Sequence, residues 1–173
     1  RGLLDGVVFT GGEALRQEAV IPAAESAADL GFEVGVHTSG MFPDRLERMM
    51  HVVDWVGLDV KARPEDYKKA VGVRGDKVWH TLDLMLESGV DYEVRTTVYP
   101  ESLIDYNFED LVSQLKLAGV RTFALQEART AGTPVAFQLM AASWDRKRWE
   151  KRRRELVECV QAAGFDRYIL RLA

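Results

Sequence analysis

Residues 7–17 read VVFTGGEALRQ, and their reading decides the fold. Apolar Val7, Val8 and Phe9 run into Thr10. Gly11, Gly12 and Glu13 follow, and then a stretch with helical spacing begins. A short, near-continuous apolar run is what a strand buried on both faces of a parallel sheet looks like. A glycine pair at its end supplies a turn that other residues adopt poorly, so the chain passes from strand to helix.

The pattern recurs. Six short runs read as strands: GVVFT, FEVGVHT, WVGLDVK, YEVRTTVY, TFALQE and YILRL. Between them, apolar residues at three- and four-residue spacing predict helices over Arg16–Leu30, Asp76–Glu87, Asp105–Ala118 and Trp144–Ala163. Pro43 and Pro64 each open a shorter one. The return to a strand repeats as LGFEV, SGVDYEV, AGVRTF and AGFDRYI. Gly31, Gly89, Gly119 and Gly164 stand there as left-handed helix caps. Such a βαβ chain makes a parallel α/β sheet. Pattern alone does not choose between a barrel and an open sheet. In both, chemistry gathers at the carboxyl ends of the strands.

Composition narrows the classes. A chain of 173 residues fits one domain, 1–173, with a sizeable core. Its net charge of −4 gives no general attraction to nucleic acid or anionic membrane. One cysteine, Cys159, excludes an internal disulfide and fits a reducing, cytoplasmic compartment. Its apolar neighbours assign it to the core. No apolar run is long enough to span a bilayer.

Polar groups collect where the strands end. Thr10-Gly11-Gly12-Glu13 follow the first, His37-Thr38-Ser39-Gly40 the second. Asp59 and Lys61 share one side of the third, and Arg95 and Thr97 one side of the fourth. Gln126 and Glu127 end the fifth. Each has a plain alternative. Glu13 fits a first-turn carboxylate, Asp59 with Lys61 a structural ion pair, Arg95 a partner of Glu93 or Asp91, and His37 a satisfied core histidine. Together, five polar strand ends suit a zwitterionic or polyfunctional small molecule.

In order along the chain, GGEAL, HTSG, LDVK and EVRTTV resemble the radical S-adenosylmethionine superfamily. More closely, the chain resembles the activating enzymes of glycyl radical enzymes, of the pyruvate formate-lyase and anaerobic ribonucleotide reductase types, and GLLDGVVFTGGEAL, LGFEVGVHTSG, WVGLDVKA and SGVDYEVRTTVYP resemble the latter group most. The resemblance implies an α/β fold, a partial (β/α)6 barrel whose first βα unit is missing. It implies S-adenosylmethionine and a [4Fe–4S] cluster at the carboxyl end, reductive cleavage of the cofactor, and a glycyl radical formed on a partner protein. An electron donor such as flavodoxin or ferredoxin is implied too. Carried over, Thr10, Gly11, Gly12 and Glu13 cradle the methionine amino group. Lys61 and Arg95 face the carboxylate and ribose side. Thr38 and Asp59 match positions near a monovalent cation, where His37 departs from the family's aspartate.

The larger departure is the family's CxxxCxxC cluster motif, which this sequence lacks. It belongs to a βα unit before GGE, and a βαβ unit takes roughly 30 residues or more. The start at Arg1 and the retention of every later motif favour a piece of a longer protein over a cluster-less relative. Without that unit, the GVVFT strand is expected to have an exposed edge, open to pairing with a second copy. Two weaker features remain. DRKRWEKRRR, residues 145–154, reads as the solvated face of a helix capped by Ser143, or as a docking surface for an acidic partner or nucleic acid that depends on Arg152–Arg154. ARTAGTPVAFQLMAA, residues 128–142, reads as a loop at the mouth of the site.

Overall fold

The computed structural model describes residues 4–172. Six strands alternate with helices: β1 (Gly6–Phe9), β2 (Glu33–Thr38), β3 (Trp55–Asp59), β4 (Asp91–Val98), β5 (Thr122–Glu127) and β6 (Arg167–Arg171). The helices are α1 (Val20–Asp29), α2 (Pro43–Met49), α3 (Tyr67–Val71), α4 (Asp76–Ser88), α5 (Leu103–Tyr106), α6 (Phe108–Leu117), α7 (Val135–Ala142) and α8 (Arg146–Ala162). Short 3₁₀ turns cover Ala14–Arg16 and Pro64–Asp66.

All five strand pairings are parallel, in the order β1-β2-β3-β4-β5-β6. The sheet does not close: β1 and β6 are its two edges. Consecutive parallel strands joined by right-handed crossovers carry all their helices on one face. The burial pattern agrees. Val34, Val36, Val56, Leu58, Val94, Phe123 and Leu125 are fully buried and share the core with Leu46, Leu82, Met85, Phe108, Leu115 and Leu156 from the helices. The alternate residues point to the other, inner face. There stand His37, Gly57, Asp59, Glu93, Arg95, Thr97, Gln126 and Arg171. This is a partial barrel with an apolar outer layer and a polar interior.

The four cap glycines behave as expected, with φ of +83° at Gly31, +75° at Gly89, +96° at Gly119 and +72° at Gly164. Other boundaries differ. The first predicted helix begins only at Val20, after the 3₁₀ turn and an irregular link. The third starts earlier, where Ser102 caps α5 by accepting from the Asp105 N–H at 3.2 Å, and it breaks at Asn107, whose backbone leaves the helical region (φ −111°, ψ 18°) while its side chain donates to Asp66 Oδ2 at 2.9 Å. Residues 128–142 are not all loop: Val135–Ala142 form α7, held by Phe137 between Tyr99 and Trp144, with ring centroids 5.3 and 5.7 Å away. Ser143 does not cap α8. Its hydroxyl donates to the Met140 carbonyl at 2.7 Å, closing α7, and Asp145 caps α8 by accepting from the Arg148 N–H at 3.0 Å.

Candidate active site

The GGE turn and the HTSG turn form one structure. Glu13 joins them. Its Oε1 accepts from the Leu15 N–H at 3.1 Å and from the Thr38 hydroxyl at 2.9 Å. Its Oε2 accepts from the Ser39 N–H at 2.8 Å and from the Ser39 hydroxyl. A carboxylate at a cap position satisfies N–H groups that otherwise lack partners. Here it does so for two turns at once, so the ends of β1 and β2 are fixed relative to each other. Thr38 passes the bond on, accepting from the Gly40 N–H at 3.0 Å. Gly40, at φ +76°, admits no side chain, since a Cβ would lie 3.0 Å from Leu58 Cδ1 and 3.1 Å from the Val78 backbone. The Gly40 carbonyl accepts from buried Thr81 on α4 at 2.8 Å.

Gly11 and Gly12 contrast with this. Both are exposed, and a Cβ on either would meet nothing within 4 Å. Gly11, at φ +129°, holds a backbone other residues avoid. Their peptide groups are therefore open at the strand end for a ligand. Thr10 is exposed beside them.

Further along the inner face, Asp59 pairs with Arg95, its register neighbour, rather than with Lys61. Arg95 Nε and Nη2 donate to one oxygen, Asp59 Oδ1, at 2.8 and 2.7 Å. Lys61 stands exposed just past β3, with its N–H donating to the buried Tyr67 hydroxyl at 2.9 Å. Burial pushes the Tyr67 hydroxyl up to about 12, so it stays protonated. Arg95 Nη1 also lies 3.4 Å from His37 Nε2. Burial first, and then the Arg95 charge, holds His37 below its ordinary range, so the ring is neutral near pH 7. His37 lies edge-on to Trp55, 5.0 Å between centroids, above Gly57. A Cβ at Gly57 would meet His37 Nδ1 at 2.4 Å, so only glycine leaves room for the ring.

The sequence reading missed Glu93 and Arg171 as members of this face. Arg171, on the last strand, donates to both oxygens of buried Glu93 at 2.7 and 2.9 Å. Glu93 shares a side of β4 with Arg95, which was the available signal. The partner lies 78 residues away, and only the sheet order brings it near. Gln126 joins Thr97 to this group, donating to its hydroxyl at 3.2 Å. The structure thus brings Thr10, Gly11, Gly12, Glu13, Thr38, Asp59, Lys61 and Arg95 to the carboxyl ends of β1–β4.

The sequence matches the radical SAM superfamily over residues 1–118. The chain belongs to the radical SAM superfamily. It is 34% identical over 121 residues to a protein of Methanocaldococcus jannaschii whose name assigns it provisionally as a glycyl-radical enzyme activating enzyme. That match covers 65% of this chain and 50% of the relative, so the chain spans about half the length of the curated relative it matches. The fold matches a domain of pyruvate-formate lyase-activating enzyme from Bacteroides vulgatus, with a TM-score of 0.70 at 15% identity, covering 97% of this chain and 98% of that one. It also matches Streptococcus suis SuiB bound to precursor peptide SuiA, with a TM-score of 0.69 at 12% identity, covering 95% and 38%. TYW1 with a lysine-pyruvate adduct bound matches with a TM-score of 0.63 at 16% identity, covering 89% and 50%. These likenesses establish the partial barrel.

Superfamily membership implies S-adenosylmethionine and an iron–sulfur cluster, and the residues fit the two differently. For the cofactor, the open Gly11–Gly12 backbone and the half-buried Asp59–Arg95 pair offer acceptors and donors to an amino acid and a ribose. For a cluster they do not fit. The sequence has one cysteine. Cys159 is half-buried on α8, packed against the core in the helical layer. Burial raises its thiol above the ordinary range, the reverse of what a thiolate ligand needs. Among the described residues, no three His, Cys, Asp or Glu side chains converge as metal ligands. Among them, too, no helix is long and apolar enough to cross a membrane.

Proposed function

We propose that this chain is the cofactor-cradling part of a radical S-adenosylmethionine activating enzyme, whose product is a glycyl radical on a partner protein such as anaerobic ribonucleotide reductase. The observation that carries this reading is Glu13. Its carboxylate locks the GGE and HTSG turns together and leaves the glycine backbone open at the end of the sheet that also carries the Asp59–Arg95 pair. In this reading Gly11 and Gly12 accept from the methionine ammonium, with Thr10 beside them. Thr38 keeps the second turn in place. Arg95, steadied by Asp59, and Lys61 meet the carboxylate and ribose. What bound S-adenosylmethionine supplies is a carbon-centred radical, and the residues named here supply placement. The cluster is then held by residues outside these 173, and the electron comes from a donor of the flavodoxin or ferredoxin kind. The whole chain acts as a single domain.

Calorimetric titration tests the cradle. S-adenosylmethionine is expected to give saturable binding, with inorganic phosphate and ATP inert. No S-adenosylmethionine binding, or equal binding of ATP, would overturn the assignment. The lone Cys159 favours a second reading, in which the protein binds cofactor or partner without cluster chemistry. Anaerobic iron–sulfur reconstitution of the full gene product separates the two: formation of 5′-deoxyadenosine requires the first.

The outer edge of β1 has no strand partner among the described residues, and Val8 beside it is 49% exposed. Unpaired edges recruit strands. We propose self-association of this chain through β1, giving a dimer mass by light scattering. A monomer mass at all concentrations would exclude it.

A further inference from the structure

A cleft of about 940 Å³ opens at the same end of the sheet as the candidate site, beginning at Glu127, the last residue of β5. One wall is the segment leaving β5, a second is one side of α7, and the third is the first turns of α8. Four cations line it, Arg129, Arg146, Lys147 and Arg153, against two carboxylates, Glu127 and Glu150. The carboxylates are already engaged. Glu127 accepts from Trp149 Nε1 at 2.5 Å and lies 3.5 Å from Arg153 Nη1, while Glu150 lies 3.9 Å from Arg153 Nη2. Arg129, Arg146 and Lys147 make no ion pair with any described residue. In a protein of net charge −4, this is a local concentration of unneutralised positive charge.

With Thr130 and Gln138 as the uncharged polar exceptions, the walls between the charges are mostly apolar. Ala128, Ala131, Ala141, Ala142 and Trp144 line them. The same α7 exposes Val135 and Leu139, 70% and 69% accessible. A lone phosphate or carboxylate would satisfy the cations and leave these surfaces wet. An extended peptide with acidic and apolar side chains in alternation would cover both.

The basic run of α8 is thus divided. Arg152 and Arg153 are held by Asp105, Glu109 and Glu127, so they are internal anchors rather than docking groups. Neutralising Arg152–Arg154 would loosen α8 before it tested any partner. Within the cleft, the groups left for a partner are Arg146 and Lys147, with Arg129.

We propose that this cleft docks an acidic, apolar-spaced segment of a protein partner beside the strand ends. The proposal rests on the charge and shape of the cleft, not on the cofactor, so either can fail alone. Fluorescence anisotropy on the full chain tests it, with a labelled peptide alternating glutamate and leucine. The lysine–leucine peptide and a single-stranded oligonucleotide serve as comparisons. The glutamate peptide is expected to bind, less tightly as salt rises. R146E/K147E should weaken it at least ~10-fold, and R48E, on α2, should leave it unchanged. Both cleft substitutions lie in the first turn of α8, where acidic residues suit the helix, so the melting temperature should hold. If it falls, R146Q/K147Q replaces them with the same expected direction. No glutamate-peptide binding, equal binding of the lysine peptide, or an equal loss in R48E would overturn the proposal. Oligonucleotide binding that R146E/K147E abolishes would reassign the cleft to nucleic acid.

Discussion

Arg152→Ala is expected to destabilise the fold by about 3 kcal/mol, the largest loss from any single charge on α8. Arg152 ties α8 to α5 and α6. Its Nε donates to Asp105 Oδ1 at 2.8 Å and its Nη2 to the Asp105 carbonyl at 2.6 Å. Its Nη1 donates to Glu109 Oε1 at 2.7 Å. The Asp105 side chain is 10% exposed and that of Arg152 24%, so truncation strands a largely buried carboxylate. For a chain of this size, ~3 kcal/mol lowers the melting temperature by roughly 6–12 °C. Arg154→Ala should cost under ~0.5 kcal/mol, as surface substitutions do. A chemical denaturation series reads both. An Arg152→Ala value within ~0.5 kcal/mol of Arg154→Ala would refute the anchor.

The pH dependence has a definite sign. The Arg152 hydrogen bond holds the Glu109 carboxyl below its ordinary range. A depressed carboxyl stabilises the fold above its unfolded value of 4.5, and that stabilisation is lost as pH falls through the folded value. The gap between the parent and Arg152→Ala should therefore narrow in acid.

How much of this was legible in sequence varies with the range of the interaction. The strands and the glycine caps are local, set by a run of side chains and one left-handed residue, and they were readable. Helix α7 was not. Gly132 and Pro134 signal a break, and its apolar residues do not face the core, so it lacks the one-sided pattern that marks a packed helix. Ser143 and Asp145 are both cap residues by type, and the choice between them depends on where α7 ends. Sharing a face was legible too, since alternation put Asp59 and Arg95 on defined sides. Their pairing required the β3–β4 register. The basic run was visible as charge, but its division into anchors and free groups depends on Asp105, Glu109 and Glu127, which only folding brings to α8. Order and site composition could be read; partners across the sheet could not.

Glu13 carries the sharpest functional expectation. Glu13→Ala should lower S-adenosylmethionine affinity at least ~10-fold and destabilise the fold by at least about 2 kcal/mol, because hydrogen bonds to a charged acceptor contribute about 1.5–3 kcal/mol each and are not additive. The informative variant is Glu13→Gln. Each carboxylate oxygen accepts from a backbone N–H, Oε1 from Leu15 and Oε2 from Ser39. Glutamine must turn its NH₂ toward one of them, donor against donor. Were Glu13 present to attract a ligand's ammonium by charge alone, glutamine would preserve stability and lose only affinity. Since both oxygens are occupied by the two turns, Glu13 is a positioning residue, and glutamine should lose stability to within ~1 kcal/mol of alanine, along with affinity. Melting curves and calorimetric titration on the same three proteins distinguish these outcomes. A Glu13→Gln protein as stable as the parent would show that charge, not the double acceptor geometry, is what this position supplies.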